Sequence, residues 1–479
     1  MSAEAAERAR PRLEPSSFRD PDSTVFLVDD GVFRVLSPRG VEDFDALARS
    51  ALFERFIADG RLVATERVEA PAELPAHRPE EAAAVLKHET IPFVSYPYEW
   101  SFGMLKEAAL LQLDLLLSAL DEDLILKDSS PYNVQFRGAR ATFVDVGSFE
   151  RLSDGEPWIG YRQFCMLFLY PLMLQAYKDL APHAWLRGAL QGITPAQMSA
   201  VMSARDILRR GVLTNVWLHA RLERRHGERP REVKHELRRA GFNKELIRTN
   251  VSKLRTLLRR LTWSPRKGVW TEYGERAHYT DRDTKEKDRF VRSVAGSRTW
   301  SLVWDLGCND GRHSRIAAET GASYTVAMDG DPGSVELLFR ALRDEGERRI
   351  LPLVMDLTDP SPALGWRGAE RRSTLGRGRP ELVLCLALVH HLSIAGNVPI
   401  REVIDWLSGL GAALIIEFPT REDPKVEQLL AAKRPGTHLD YEREFFERCL
   451  RERFEVERSQ TMQSGTRTLY FAQPKGAKA

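Results

Sequence analysis

Three apolar runs in the carboxy-terminal third of this chain each reach an aspartate and then turn: "SLVWDLGCNDG" through Asp305, "YTVAMDGD" through Asp329 and "RILPLVMDLTD" through Asp356. The stretches between and after them, "GRHSRIAAETG" and "GSVELLFRALRDEGE", carry apolar residues at helical spacing, and further apolar runs follow in "ELVLCLALVHHL" and "GAALIIEFP". Strands that are apolar throughout are covered on both faces, and alternation with helices makes the sheet parallel. The pattern predicts a doubly wound α/β domain over 285–479. In such a sheet a ligand binds beyond the carboxyl ends of the strands, and the first strand-to-helix turn supplies tight backbone there. That turn holds Asp305, Gly307, Asn309 and Gly311. Glycine lets backbone approach a ligand closely, and Asn is a side-chain-bearing residue that tolerates positive φ.

An acid about twenty residues after such a turn can accept the two hydroxyls of a ribose, which gives Asp329 a role. The ordered set "DLGCNDG", "VAMD" and "VMDL" resembles the class I S-adenosylmethionine-dependent methyltransferases, over about residues 285–475. The resemblance implies a Rossmann-like fold and S-adenosylmethionine as cofactor. It also implies that Asp305, Gly307, Asn309 and Gly311 form the turn at the methionine part, that Asp329 holds the ribose, and that Asp356 with Leu357 faces the adenine. An NAD site would use a GxGxxG turn instead. After the fourth strand, His390 and His391 lie where that family places residues facing the transferred methyl group, and Glu417 is similarly placed. A histidine there can act as a general base, because its ordinary pKa lies near neutrality; the alternative is that either one merely caps a helix or packs. No "DPPY", "NPPY" or Pro-Cys pair follows the fourth strand, which points away from the usual DNA-base enzymes. Cys385 reads as core.

The amino-terminal half has its own signature in "LILKDSSPYNVQFRGARATFVDVGSFE" (Leu124 to Glu150), preceded by the helical "SFGMLKEAALLQLDLLLSAL". An acid, an asparagine five residues on, and a hairpin leading to Asp-x-Gly is the order used by protein-kinase-like folds. Asp128, Asn133 and Asp145 match it. No Gly-rich loop or VAIK-type lysine precedes them, and Leu126 replaces the usual catalytic-loop histidine. The segment 24–226 is therefore expected to be a reduced, α+β kinase-like domain that binds a substrate or partner, with residues 1–23 a disordered tail. Across the whole chain, "LKDSSPYNVQFRG" and "YRQFCMLFLYPLML" also make it similar to the NoeA-like nodulation methyltransferases of bacteria.

Between the halves, Arg205 to Lys267 carries 19 Lys/Arg against 6 Asp/Glu. This predicts a basic helical connector over 227–284, read either as a phosphate- or RNA-facing strip or as solvated outer faces of helices. Trp270, Tyr273 and Tyr279 precede the methyltransferase sheet and either offer a cofactor lid or simply pack. Over 479 residues the charge is only +2, so composition gives no argument for a nucleic-acid or membrane partner. The four cysteines form no CxxC pair, so neither a disulfide framework nor a metal site is expected, and a cytoplasmic protein fits best. "FCMLFLYPLMLQAY" is too short to span a bilayer and reads as a buried helix. The sequence thus predicts a methyltransferase whose acceptor is a small molecule, a saccharide or a protein side chain. A bifunctional kinase-methyltransferase and a non-catalytic binding protein remain alternatives.

Overall fold

A computed structural model describes residues 11–29, 31–71, 83–153, 155–226, 243–265 and 281–476. The chain divides into two compact units, Met1–Phe136 with Ala141–Trp263 and Gly365–Arg371, and Arg137–Arg140 with Ser264–Leu364 and Arg372–Ala479.

The first unit opens with five antiparallel strands, β1 (Arg12–Leu13), β2 (Ser23–Val28), β3 (Gly31–Leu36), β4 (Thr65–Val68) and β5 (Ala84–His88), in the order β1-β2-β3-β5-β4. Side chains alternate across a strand, and in β3 the inward pair is Arg34 and Leu36, both buried. Helices Pro38–Ala48 and Ala51–Ala58, capped by the hydroxyls of Ser37 and Ser50, link β3 to β4. The expectation of a tail over 1–23 is corrected for its described part. Residues 12 and 13 pair with Leu27 and Phe26, and Pro15–Arg19 is a short helix whose Ser17 hydroxyl accepts the Val25 N–H, so local hydrogen bonds hold this segment on the sheet edge.

After that sheet in the chain, the helix Phe102–Asp121 is buried along most of its length. It leads to β6 (Leu124–Leu126), a turn through Pro131–Asn133, the hairpin β7 (Val134–Arg137) and β8 (Arg140–Phe143), and β9 (Phe149–Arg151), which pairs with β6. The apolar run from Phe164 is a buried helix with a widened turn at Cys165–Leu169, where Pro171 has no N–H to continue the regular ladder. Among the described residues no helix is long and apolar enough to cross a membrane. The connector expected over 227–284 is not a separate body in its described part. Its helix Lys244–Arg260 buries Ile247, Val251, Leu254 and Leu258 and packs against Phe102–Asp121 within the first unit. Three of its cations pair with acids there: Lys244 with Asp123 at 2.5 Å, Arg255 with Asp114 at 3.0 Å, and Arg248 with Asp121.

The second unit is a seven-stranded sheet, β10 (Trp300–Leu306), β11 (Ala322–Asp329), β12 (Ile350–Val354), β13 (Leu382–Cys385), β14 (Ala413–Pro419), β15 (Phe454–Thr461) and β16 (Arg467–Pro474). Their order is β12-β11-β10-β13-β14-β16-β15. The first five pair in parallel and β16 runs antiparallel to both of its neighbours. This is the predicted doubly wound arrangement, with the strand order switching direction at β10 and β13. One face of the sheet packs a core of Phe290, Val291, Val294, Val303, Leu384 and Ile415 beneath the helix Asp281–Ala295.

Candidate functional site

At the carboxyl end of β10 the chain alternates between ordinary and left-handed backbone: Gly307 has φ 75°, Asn309 φ 47° and Gly311 φ 75°. A Cβ on Gly311 would sit 2.5 Å from Leu338, so glycine here lets the helix Pro332–Glu345 close in; one on Gly307 would meet Leu388 at 3.2 Å. The turn is tied to the next strand, since Asp329 accepts the backbone N–H groups of Asn309 and Asp331, each at 2.9 Å. Two backbone donors orient the Asp329 carboxylate yet leave it lone pairs for a ligand. Asp305 is buried and accepts the Ser314 hydroxyl at 2.5 Å. Burial raises the pKa of both carboxyls above the usual aspartate value.

These groups surround a cavity of about 480 Å³. Of the residues expected at the cofactor, Asp305, Gly307, Asn309, Asp329, Asp356 and Leu357 line it. Gly311 is not among the lining residues and acts through helix packing. Asp356 lies two residues beyond β12 and accepts the N–H and hydroxyl of Thr358 at 2.9 and 2.7 Å, which fixes the loop carrying Leu357. The volume falls within the range of small-molecule and cofactor sites.

The two histidines separate. His391 lines the cavity, whereas His390 is fully buried outside that lining, its ring 4.1 Å from that of His391. Among the described residues neither ring nitrogen of His390 has a hydrogen-bond partner. Desolvation, then the charges of Lys425 and Arg467, lower the His391 pKa to about 4, and burial, then the neighbouring His391, hold His390 well below the usual histidine value. Both imidazoles are therefore neutral at physiological pH, the form that can accept a proton.

Sequence reasoning missed what supports this wall. Glu417 is fully buried and accepts from Lys287 Nζ at 2.7 Å, Arg467 Nη1 at 3.0 Å and the Ala387 N–H at 2.9 Å. Arg467 also makes a two-pronged contact with Asp423 at 2.6 and 2.9 Å. Ala387 has φ 50°, a left-handed conformation unusual for alanine, and it starts the loop that delivers His391. Glu417 thus serves as a brace and not as a cavity group. The partners Lys287 and Arg467 lie 130 and 50 residues away in sequence, so no local signal marks the network.

The aromatics Trp270, Tyr273 and Tyr279 lie outside the described residues. In the first unit, Asp145 and Asn133 do converge: Asn133 Nδ2 donates to Ser148 Oγ at 3.0 Å, and that hydroxyl donates to Asp145 Oδ2 at 2.6 Å. Asp128 stands close enough to Asp145 for its pKa to rise, through burial first and then through that neighbouring charge. Among the described residues no group of three or more His, Cys, Asp or Glu side chains has metal-binding geometry.

No protein-family model matches the chain. Among solved structures it is similar to the N-methyltransferase NodS from Bradyrhizobium japonicum WM9, at 13% identity and a TM-score of 0.30, covering 41% of this chain and 98% of that one. It is also similar to a SAM-dependent methyltransferase from Aquifex aeolicus, at 15% identity and a TM-score of 0.31, covering 43% of this chain and 100% of that one. The nodulation protein NoeA of Rhizobium meliloti (strain 1021) is 33% identical over 467 residues, 97% of either chain. Identity of that extent across both units shows that the chain belongs to the family of the nodulation protein NoeA.

Proposed function

We propose that this protein is an S-adenosylmethionine-dependent methyltransferase whose second unit carries the chemistry. The observation that carries this reading is the convergence of the left-handed turn at Gly307 and Asn309 with Asp329 and Asp356 around one cavity. The donor set fits the cofactor. Asp329 presents carboxylate lone pairs where ribose hydroxyls need an acceptor, Asp356 and Leu357 form the edge suited to an adenine, and the bare Gly307 leaves room for the methionine portion. When bound, the cofactor supplies an electrophilic methyl on a sulfonium. The chain's own work is alignment and proton removal. As the sulfur–methyl bond gave way to the new bond, a hydroxyl or amine acceptor would have to shed its proton, and His391, held neutral at the cavity wall, would take that proton. Lys287, Glu417 and Ala387 hold the loop that aims His391.

For the first unit we favour a kinase-like scaffold used to bind a substrate or partner. Its support is the five-stranded antiparallel sheet with helices between β3 and β4, followed by Asp128, Asn133 and Asp145 in order. A small-molecule or saccharide acceptor suits a cavity of this volume better than a macromolecular face. Calorimetric titration of S-adenosylmethionine into the full chain tests the central reading: micromolar binding is expected, and a protein with no heat of binding at millimolar cofactor would sink it. Mass spectrometry of cell extracts incubated with labelled methyl donor then identifies the acceptor.

A further inference from the structure

The motif in the first unit that methyl transfer does not use is Asp145, and its surroundings are unusual for a metal-holding acid. In protein kinases the aspartate of the Asp-x-Gly motif and the catalytic-loop asparagine hold magnesium, and a lysine on the third strand meets the phosphates. Here the third strand, β3, presents Arg34. Its guanidinium Nη1 lies 2.8 Å from Asp145 Oδ1 and donates to Ser23 Oγ at 2.9 Å, and its side chain is 9% exposed. The other Asp145 oxygen receives the Ser148 hydroxyl, which in turn receives Asn133 Nδ2. Both oxygens of the acid and the Nδ2 of the asparagine amide are therefore engaged by the protein itself. A Cβ on Gly147 would come within 3.0 Å of Arg34 Nη1, so this glycine gives the guanidinium its room.

The network continues behind Arg34. Nε lies 3.3 Å from His88 Nε2, and the other ring nitrogen of His88 lies 2.8 Å from Thr65 Oγ1. Because guanidinium can only donate, His88 must accept through Nε2 and carry its proton on Nδ1. Arg34 thus has a carboxylate, a hydroxyl and a neutral imidazole arranged around one fork. That is a built site for a guanidinium and not a surface pair that happens to meet.

We infer that Arg34 is a resident cation standing where a divalent metal would serve Asp145 and Asn133, so that the first unit works as a metal- and nucleotide-independent binding module with a latent cation site beneath that side chain. The inference rests on the kinase-like reading of this unit for the identity of the site, but the charge substitution itself rests on the ion pair. A positive charge fixed by the fold needs no ion from solution, and it blocks the approach of a hydrated metal by both volume and repulsion.

Thermal melts of the full chain, with MnCl₂ or with Mg²⁺ and ATP, test this. The parent should show no shift with either. Arg34→Gln removes the charge and leaves Asp145 uncompensated, which should lower the first unit's melting temperature by on the order of 10 °C. Millimolar Mn²⁺ should restore part of that loss. Arg34→Gln/Asp145→Asn should recover stability without metal and show no response to Mn²⁺, and this double variant also reads the pairing if the single one fails to fold. Arg34→Lys keeps a charge and should stay silent to Mn²⁺. The inference is overturned if Mn²⁺ or Mg²⁺-ATP stabilises the parent through Asp145, if the two substitutions are additive, or if folded Arg34→Gln ignores Mn²⁺. Adding ATP to Mn²⁺-loaded Arg34→Gln separates the two readings. A further rise supports both, whereas none leaves the cation substitution standing and counts against the kinase-like assignment.

Discussion

Asp329 in the second unit and Asp145 in the first are both acids at a loop that contains glycine, yet their surroundings differ in kind. Asp329 is held by two backbone N–H groups at 2.9 Å and lines a cavity of about 480 Å³. Asp145 is held by a guanidinium at 2.8 Å and a hydroxyl at 2.6 Å. Backbone donors orient a carboxylate without cancelling its charge, and burial then raises its pKa. A guanidinium cancels the charge on the spot; although burial of Asp145 pushes the other way, Arg34 and Ser148 together hold its pKa below the usual aspartate value. One acid keeps its charge beside a cavity and the other is already paired with a cation. The presence of an acid in a motif is therefore not enough to assign it, and the partner that holds it decides.

The largest effect that sharpens this contrast should fall on catalysis in the second unit. His391→Ala removes the only one of the two paired histidines that lines the cavity. General-base assistance is typically worth about 10² to 10⁴ in rate, so transfer of labelled methyl should fall by that factor while calorimetric affinity for S-adenosylmethionine stays near the parent's. His390→Ala should change turnover through packing alone, and by much less. Equal turnover in the parent and in His391→Ala would mean that solvent or another group takes the proton.

Next in size is the acid itself. Asp329→Ala should weaken cofactor binding by about 1.5 to 3 kcal/mol, roughly 10- to 150-fold in Kd, because hydrogen bonds to a charged acceptor are lost. Gly307→Val should also weaken it, since a β-branched residue is a poor fit at φ 75° and its side chain would press on Leu388. Asp145→Asn should leave the same titration unmoved. Should Asp145→Asn cost as much cofactor affinity as Asp329→Ala, the contrast between the two acids breaks down.

Much of this second unit was legible because its signals are local. Five apolar strands with intervening helices, and a turn whose Asn309 takes positive φ, can be read from neighbouring residues alone. β15 was not legible: "FEVERSQT" alternates charge with apolar residues and its strand is mostly exposed, so no buried run marks it. The Glu417 brace and the Arg34–Asp145 pair escaped for another reason. Each joins residues more than a hundred positions apart, Lys287 with Glu417 and Arg34 with Asp145, and only the fold brings them together. Arg34 was in plain view in "GVFRVL", where it fills an inward position of an otherwise apolar strand. A charged residue at such a position is expensive to bury without a partner, which was the available clue.

The smallest expected effect compares how the units respond to acid. Each holds a neutral histidine, His88 in the first with its pKa lowered to about 3 and His391 in the second to about 4. For His88 the causes are burial first and then the charge of Arg34. The sign follows from the depressed pKa. Above the unfolded value of about 6.5 both states are neutral and the histidine has no effect on stability, whereas between about 6.5 and 3 only the unfolded chain takes up the proton, so stability falls as pH falls. At pH 5 this amounts to about 2 kcal/mol for one such group. His88→Gln removes the titration while keeping an amide that can bond Thr65, so its urea unfolding free energy should depend less on pH between 7 and 5 than the parent's. The flattening should appear in the first unit's transition and leave the second unit's unchanged. If His88→Gln retained the parent's full pH slope, His88 would be charged in the folded protein, and the arrangement in which Arg34 donates to a neutral imidazole would be wrong.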